Sequence, residues 1–121
     1  MKKTVIIGAT TNPSRYAYLA AGTLQDHKIE FVPVGIKKGE VFGKSILDLR
    51  SKPEIKDVDT VTLYINPANQ QEWYDYIIKL KPKRVVFNPG TENPELEKLL
   101  SEKNIEALEA CTLVLLRTGQ Y

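Results

Sequence analysis

A chain of 121 residues with a net charge of +2 has the size of one domain. Its 42% apolar and 26% charged residues are ordinary for a globular protein, and its acids are interleaved with its lysines, which excludes the dense basic face of a nucleic-acid binder. A single cysteine, Cys111, excludes an internal disulfide, and with only one histidine beside it no zinc-ligand spacing exists.

The opening MKKTVIIGAT has the basic start of a secretory leader, but its apolar core ends at Ala9, before Asn12-Pro13-Ser14-Arg15. No apolar run reaches the roughly 20 residues of a membrane helix. A cytoplasmic protein with no membrane partner is expected.

Thr4 to Ile7, rich in β-branched residues and stopped by Gly8, predicts a buried strand. Asn12 is suited to cap a helix and Pro13 to open it, since the first helical position needs no N–H. Tyr16, Leu19, Ala20, Thr23 and Leu24 then recur at helical spacing. Ile29 to Val34 predicts a second strand, with Pro33 tolerated near its end. Gly35 to Gly43, with three glycines and two lysines, predicts a loop, and Lys44 to Ser51 a connector offering Ile46, Leu47 and Leu49 for apolar contact.

Pro53 to Asp59 predicts a turn or brief helix, and Thr60 to Ile65 a third strand stopped by Asn66-Pro67. Asn69 to Leu80 predicts a helix with Trp73, Tyr76, Ile77 and Leu80 on one side. Arg84 to Phe87 predicts a fourth strand, ended by Asn88-Pro89-Gly90. Asn93-Pro94 repeats the cap-then-proline start, with Leu96, Leu99 and Leu100 turned inward, and Ile105 to Leu108 predicts a fifth strand. Thr112 to Leu116 is either a last strand or a short helix, and its leucines suit a homodimer contact.

Alternating strands and helices imply an α/β fold: a Rossmann-like three-layer sandwich with a five-stranded or six-stranded, mainly parallel sheet and right-handed crossovers. Ligands in such folds sit at the carboxyl ends of the strands, where strand order reverses. The first loop, Gly8, Ala9, Thr10, Thr11, Asn12, Pro13, then Arg15 and Tyr16, sets amides, hydroxyls and a guanidinium at a helix start, a frame for a phosphate. The second loop, Val34, Gly35, Lys37 and Lys38, lacks the acid that reads a free ribose 2′-hydroxyl in NAD sites. Its lysines suit a phosphorylated ribose, as in coenzyme A or NADP. Ile65, Asn66 and Pro67, and Asn88, Pro89 and Gly90, end the third and fourth strands at the same edge and offer side chains to a base or an amide.

The whole chain resembles the standalone CoA-binding domain family, single-domain relatives of the N-terminal domain of the succinyl-CoA synthetase alpha subunit. Gly8, Ala9, Thr10, Pro13 and Arg15 match the family's opening G-A-S/T-x-x-P-x-K/R, and Pro33, Val34 and Lys37 match its proline-valine run with a basic end. Gly39, Phe42 and Gly43, then Ser45 to Leu49, match the next stretch. Asn88-Pro89-Gly90 stands for a Gln-x-Gly turn and Glu109-Ala110-Cys111 for an Asp-Arg-Cys. The resemblance implies non-covalent binding of CoA or an acyl-CoA, with the pyrophosphate at the first loop and the 3′-phosphate side at Lys37. Gly35-Ile36 in place of Asn-Pro, Ile65 in place of a basic residue and Ala110 in place of arginine remove polar contacts.

Chemistry needs a nucleophile with a base, or carboxylates with separated pKa values. His27 falls at a helix end away from the ligand edge, Cys111 reads as a core thiol, and Trp73, Tyr74 and Tyr76 as packing. A binding module rather than an enzyme is expected. The alternatives are an NADP-linked redox module or enzyme, which would need a second domain, and a ligand-free scaffold acting through protein contacts.

Overall fold

The computed structural model describes residues 2–121. In chain order its elements are β1 (Thr4–Ile7), α1 (Tyr16–Asp26), β2 (Phe31–Gly35), β3 (Glu40–Val41), β4 (Lys44–Ser45), β5 (Leu47–Asp48), β6 (Thr60–Leu63), α2 (Tyr74–Lys79), β7 (Arg84–Phe87), α3 (Pro94–Glu102), β8 (Glu106–Glu109) and α4 (Thr112–Arg117). Every residue of β1 and β6 is buried, the pattern of strands covered on both faces. The main sheet runs β5-β2-β1-β6-β7-β8 with all pairings parallel, and strand order reverses between β1 and β6.

The two-residue period of the strands sorts the core into layers. Val5, Ile7, Val61, Leu63, Val85 and Phe87 point to the side that holds Trp73, Tyr76, Ile77, Leu96 and Leu100. Ile6 and Phe31 point to the other, against Ala17, Ala21 and Leu24 of α1 and Leu116 of α4. Each large apolar side chain so enclosed contributes roughly 1.5–3 kcal/mol. Tyr121 closes the N-terminal edge of the sheet: its carbonyl accepts from Arg84 Nη2 at 2.9 Å, the Arg84 guanidinium lies 4.6 Å from its ring centre, and its hydroxyl is bonded to Thr4.

Pro33 sits inside β2 without breaking it. Glu30 and Val34 carbonyls face β1, where they accept from Thr4 and Gly8 at 2.9 Å, so by alternation the Pro33 nitrogen faces the opposite edge. There β5 pairs only with Val34 and Gly35, and no ladder bond is lost.

Several expectations are corrected. The sixth strand is β5, and of the two forms open to the C-terminal run the short helix is the one made, as α4; its Leu113 and Leu116 are buried, and of that run Val114 stands exposed. The segment from Gly35 to Gly43 is not all loop. Glu40 and Val41 pair antiparallel with Ser45 and Lys44 around Phe42-Gly43, whose φ angles of 49° and 80° make a primed hairpin turn. Phe42 is held in that conformation by Tyr18, its ring 4.9 Å away, and by Gly22, where a Cβ would fall 3.0 Å from the Phe42 ring.

No helix forms between Pro53 and Asp59. The expected helix over 69–80 is two single 3₁₀ turns, Pro67–Asn69 and Gln71–Trp73, followed by the short α2. Asn12 does not cap α1; the cap position is Arg15, and the helix buries Ala17, Ala20, Ala21 and Leu24 while Tyr16 and Leu19 face outward. Asn93 caps α3 as its sequence implies, accepting from Leu96 N–H at 3.2 Å.

Candidate functional site

The loops leaving β1, β2, β6 and β7 converge at the carboxyl edge, where strand order reverses. Gly8 ends β1 with φ 99°, and the Gly8 and Ala9 amides both donate to the Val34 carbonyl, at 2.9 and 3.0 Å. That pins the first loop against β2. A Cβ on Gly35 would fall 2.8 Å from the Ala9 carbonyl oxygen, so glycine there permits the close approach. On Gly39 it would fall 2.5 Å from Thr11 Cγ2, which places the base of the β3–β4 hairpin on the same loop.

The first loop is partly self-satisfied. Asn12 Oδ1 accepts from the Ser14 amide at 3.0 Å and its hydroxyl at 2.7 Å; the Asn12 amide donates to Thr10 Oγ1 at 3.1 Å. The Asn12 carbonyl takes the Arg15 amide at 3.1 Å. The backbone amides of Thr10, Thr11, Tyr16 and Ala17 find no acceptor among the described residues. Arg15 forms no ion pair among them either. Four free donors and a free guanidinium at the positive end of an 11-residue helix favour an anion.

Around this loop lies a cleft of about 840 Å³. Of the sequence-predicted residues it gathers Gly8, Ala9, Thr10, Asn12, Arg15, Tyr16, Gly35, Lys37, Ile65, Asn66, Pro89 and Gly90. Thr11, Pro13, Val34, Lys38, Pro67 and Asn88 are not in its lining. Val34 is fully buried in β2, and Asn88 is committed inside the protein. Asn88 donates to Thr62 Oγ1 at 2.6 Å and to the Leu63 carbonyl at 2.9 Å, and accepts the Thr112 amide at 2.8 Å. It braces β6, β7 and the start of α4. Arg50, donating to the Ile36 carbonyl at 2.9 Å, steadies the second loop.

Sequence reasoning missed Ser14, Ala17, Ile36, Leu49, Tyr64, Asn69, Glu72, Trp73 and Thr91 in the lining. Asn69, Glu72 and Trp73 reach it from the two 3₁₀ turns that helical spacing concealed. Trp73 packs in the core, as expected, and also forms part of the cleft wall. Tyr64 lies just past β6, in the run from Thr60 to Ile65 that sequence reasoning assigns to the strand; burial pushes its phenol up to about 12, against the Thr112 and Thr62 hydroxyls beside it.

His27 ends α1 with its ring Nδ1 3.3 Å from the Thr23 carbonyl, remote from the cleft lining. Cys111 is half-exposed at the cap position of α4 rather than a core thiol. No group of three metal-binding side chains occurs among the described residues, and no helix there is long and apolar enough to cross a membrane.

A family model described as the CoA binding domain matches residues 2–117. No curated protein matches the chain. Among solved structures, that of an uncharacterized protein is 61% identical with a TM-score of 0.97, covering 100% of this chain and 98% of the other. A hypothetical protein from Pyrococcus horikoshii OT3 is 27% identical with a TM-score of 0.81, covering 93% of this chain and 80% of its own. RSP in complex with β-NADH is 16% identical with a TM-score of 0.62, covering 98% of this chain and 58% of its own, a likeness of fold alone.

Proposed function

The chain belongs to the CoA binding domain family, and from that premise we propose that it binds coenzyme A or an acyl-CoA non-covalently in the cleft, without catalysing a reaction. The observation that carries this reading is the set of free amides of Thr10, Tyr16 and Ala17 beside the unpaired Arg15, all lining the cleft at the strand-order reversal, with the free Thr11 amide in the same loop. A diphosphate satisfies several of these donors at once, and Arg15 can meet it with two parallel bonds. Lys37 lies in the same cleft at the end of β2 and suits the 3′-phosphate that distinguishes CoA from its dephospho form.

The absence of chemistry is part of the proposal. Glu72 is the one acidic side chain in the lining, and no histidine or cysteine accompanies it. This lack of a histidine or cysteine beside the acid supports a binding role.

The second reading is NADP, favoured by the same Lys37 and by the lack of an acid at the end of β2. Calorimetric titration with CoA, dephospho-CoA, NADP and NAD separates the two. Tightest binding of CoA, with a clear loss on removing its 3′-phosphate, is expected. Preference for NADP overturns the CoA reading, and silence toward all four favours a scaffold.

A further inference from the structure

Gln70 is wholly buried between the two 3₁₀ turns, an unusual place for a polar side chain. Both of its amide donors and its amide oxygen are engaged, two of the bonds reaching segments 21 and 23 residues away. Its Nε2 donates to the Ile65 carbonyl at 2.9 Å and to the Thr91 carbonyl at 2.8 Å. Its Oε1 accepts from Asn93 Nδ2 at 2.9 Å. Asn93 Nδ2 also donates to the Tyr74 hydroxyl at 2.8 Å, which in turn donates to Glu95 Oε1 at 2.9 Å. From Thr91 the chain of bonds continues inward, since the Thr91 hydroxyl donates to the Asn88 carbonyl at 2.7 Å.

Ile65 and Thr91 are both cleft residues, on the loops after β6 and β7. Neither loop is joined to the other there by strand pairing, because the β6–β7 ladder ends at Leu63 and Phe87. We propose that Gln70 is the positioning residue of this wall: its amide ties the Ile65 loop to the Thr91 loop and so sets the width of the cleft opposite Arg15. This deepens, and rests on, the proposed CoA binding. Gln70 does not line the cleft, so its effect on a ligand is through the two carbonyls it holds. Removing the amide leaves both without their donor, and a buried carbonyl without a partner rearranges toward water.

The test uses the full chain and three variants. Gln70→Met keeps volume and removes both donors. Asn93→Asp keeps the cap oxygen of α3 while setting a carboxylate against Gln70 Oε1. Val85→Ala, in the sheet core away from the cleft, is the control for lost stability. Calorimetry with CoA is read beside hydrogen exchange at the bonded amides of the two loops, Tyr64, Gln70 and Thr91.

Gln70→Met is expected to weaken CoA by about tenfold or more, the scale of one to two hydrogen bonds, with faster exchange at those amides. Asn93→Asp should move both readouts the same way by less, and decides the matter if Gln70→Met does not fold. Val85→Ala should leave affinity within about threefold and those amides protected. Wild-type affinity in Gln70→Met, or an equal loss in Val85→Ala, overturns the positioning role. Should the wild-type protein not bind CoA, the functional reading fails by itself, and exchange alone decides: selective loosening of the two loops sustains the assignment of Gln70, and unchanged exchange ends it.

Discussion

Asn88 Oδ1 accepts the amide of Thr112 at 2.8 Å, so a side chain at the end of β7 supplies the acceptor for the first residue of α4. Its Nδ2 holds β6 through Thr62 and Leu63. One buried amide thus joins two strands and a helix start. Asn88→Ala leaves these partners unpaired and is expected to cost about 2–4 kcal/mol of stability. Urea denaturation measures this, and a loss below about 0.5 kcal/mol would mean that the brace is redundant.

Arg15 has the opposite profile, being exposed and without an ion pair among the described residues. Arg15→Ala should leave stability within about 0.5 kcal/mol. It should weaken CoA and dephospho-CoA alike by about 1.5–3 kcal/mol, the range for charge-assisted bonds. Calorimetry at two salt concentrations checks this; an unchanged affinity removes Arg15 from the site.

The two neighbouring lysines separate by position. Lys37 lines the cleft and Lys38 does not. Lys37→Ala is expected to erase most of the preference for CoA over dephospho-CoA, whereas Lys38→Ala should preserve it. Equal effects from the pair would point to a diffuse field in place of a specific contact.

Gly35→Ala introduces a Cβ 2.8 Å from the Ala9 carbonyl oxygen, a backbone atom that cannot swing aside. The first loop must shift, at a cost of about 1–3 kcal/mol. Melting temperature and CoA affinity should fall together, because the strand end and the phosphate loop share that contact.

Glu97 supplies a pH prediction. Burial, then the Glu109 carboxyl beside it, raises its pKa above the usual carboxylate value. An acid whose native pKa is raised binds more protons folded than unfolded, so its contribution to stability falls as pH climbs from the ordinary carboxylate range through the raised value. Glu97→Gln should therefore be more favourable relative to wild type at neutral pH than at acid pH. Denaturation midpoints across that window check the sign; a difference that is flat with pH removes the coupling.

The parts of the fold written as strong local patterns were legible. The β-branched run Thr4–Ile7, the Arg84–Phe87 strand and the Asn93-Pro94 helix start appear where the residues put them. The β3–β4 hairpin was not, because strands of two residues carry no periodicity and its turn puts Phe42 at φ 49°, where sequence rules expect glycine or asparagine. Asn12 read as a cap because a cap and a turn reward the same side chain, and here its oxygen serves Ser14 one turn too early. At the site, the loops after β1 and β2 were foreseen, while Asn69, Glu72 and Trp73 were hidden by 3₁₀ turns that mimic helical spacing. Asn88 looked available because sequence shows a polar residue at a strand end but not which way its amide turns.

The pairing of Thr4 with Thr60 has a consequence for biogenesis. β1 is synthesised well before β6, so its inner edge has no mate until the chain has grown from Thr4 past Thr60. Thr4 then waits for Tyr121 to reach its hydroxyl. A nascent chain of this topology carries a largely apolar strand with one edge open until β6 is made, so its vulnerability to aggregation belongs to synthesis more than to the finished molecule.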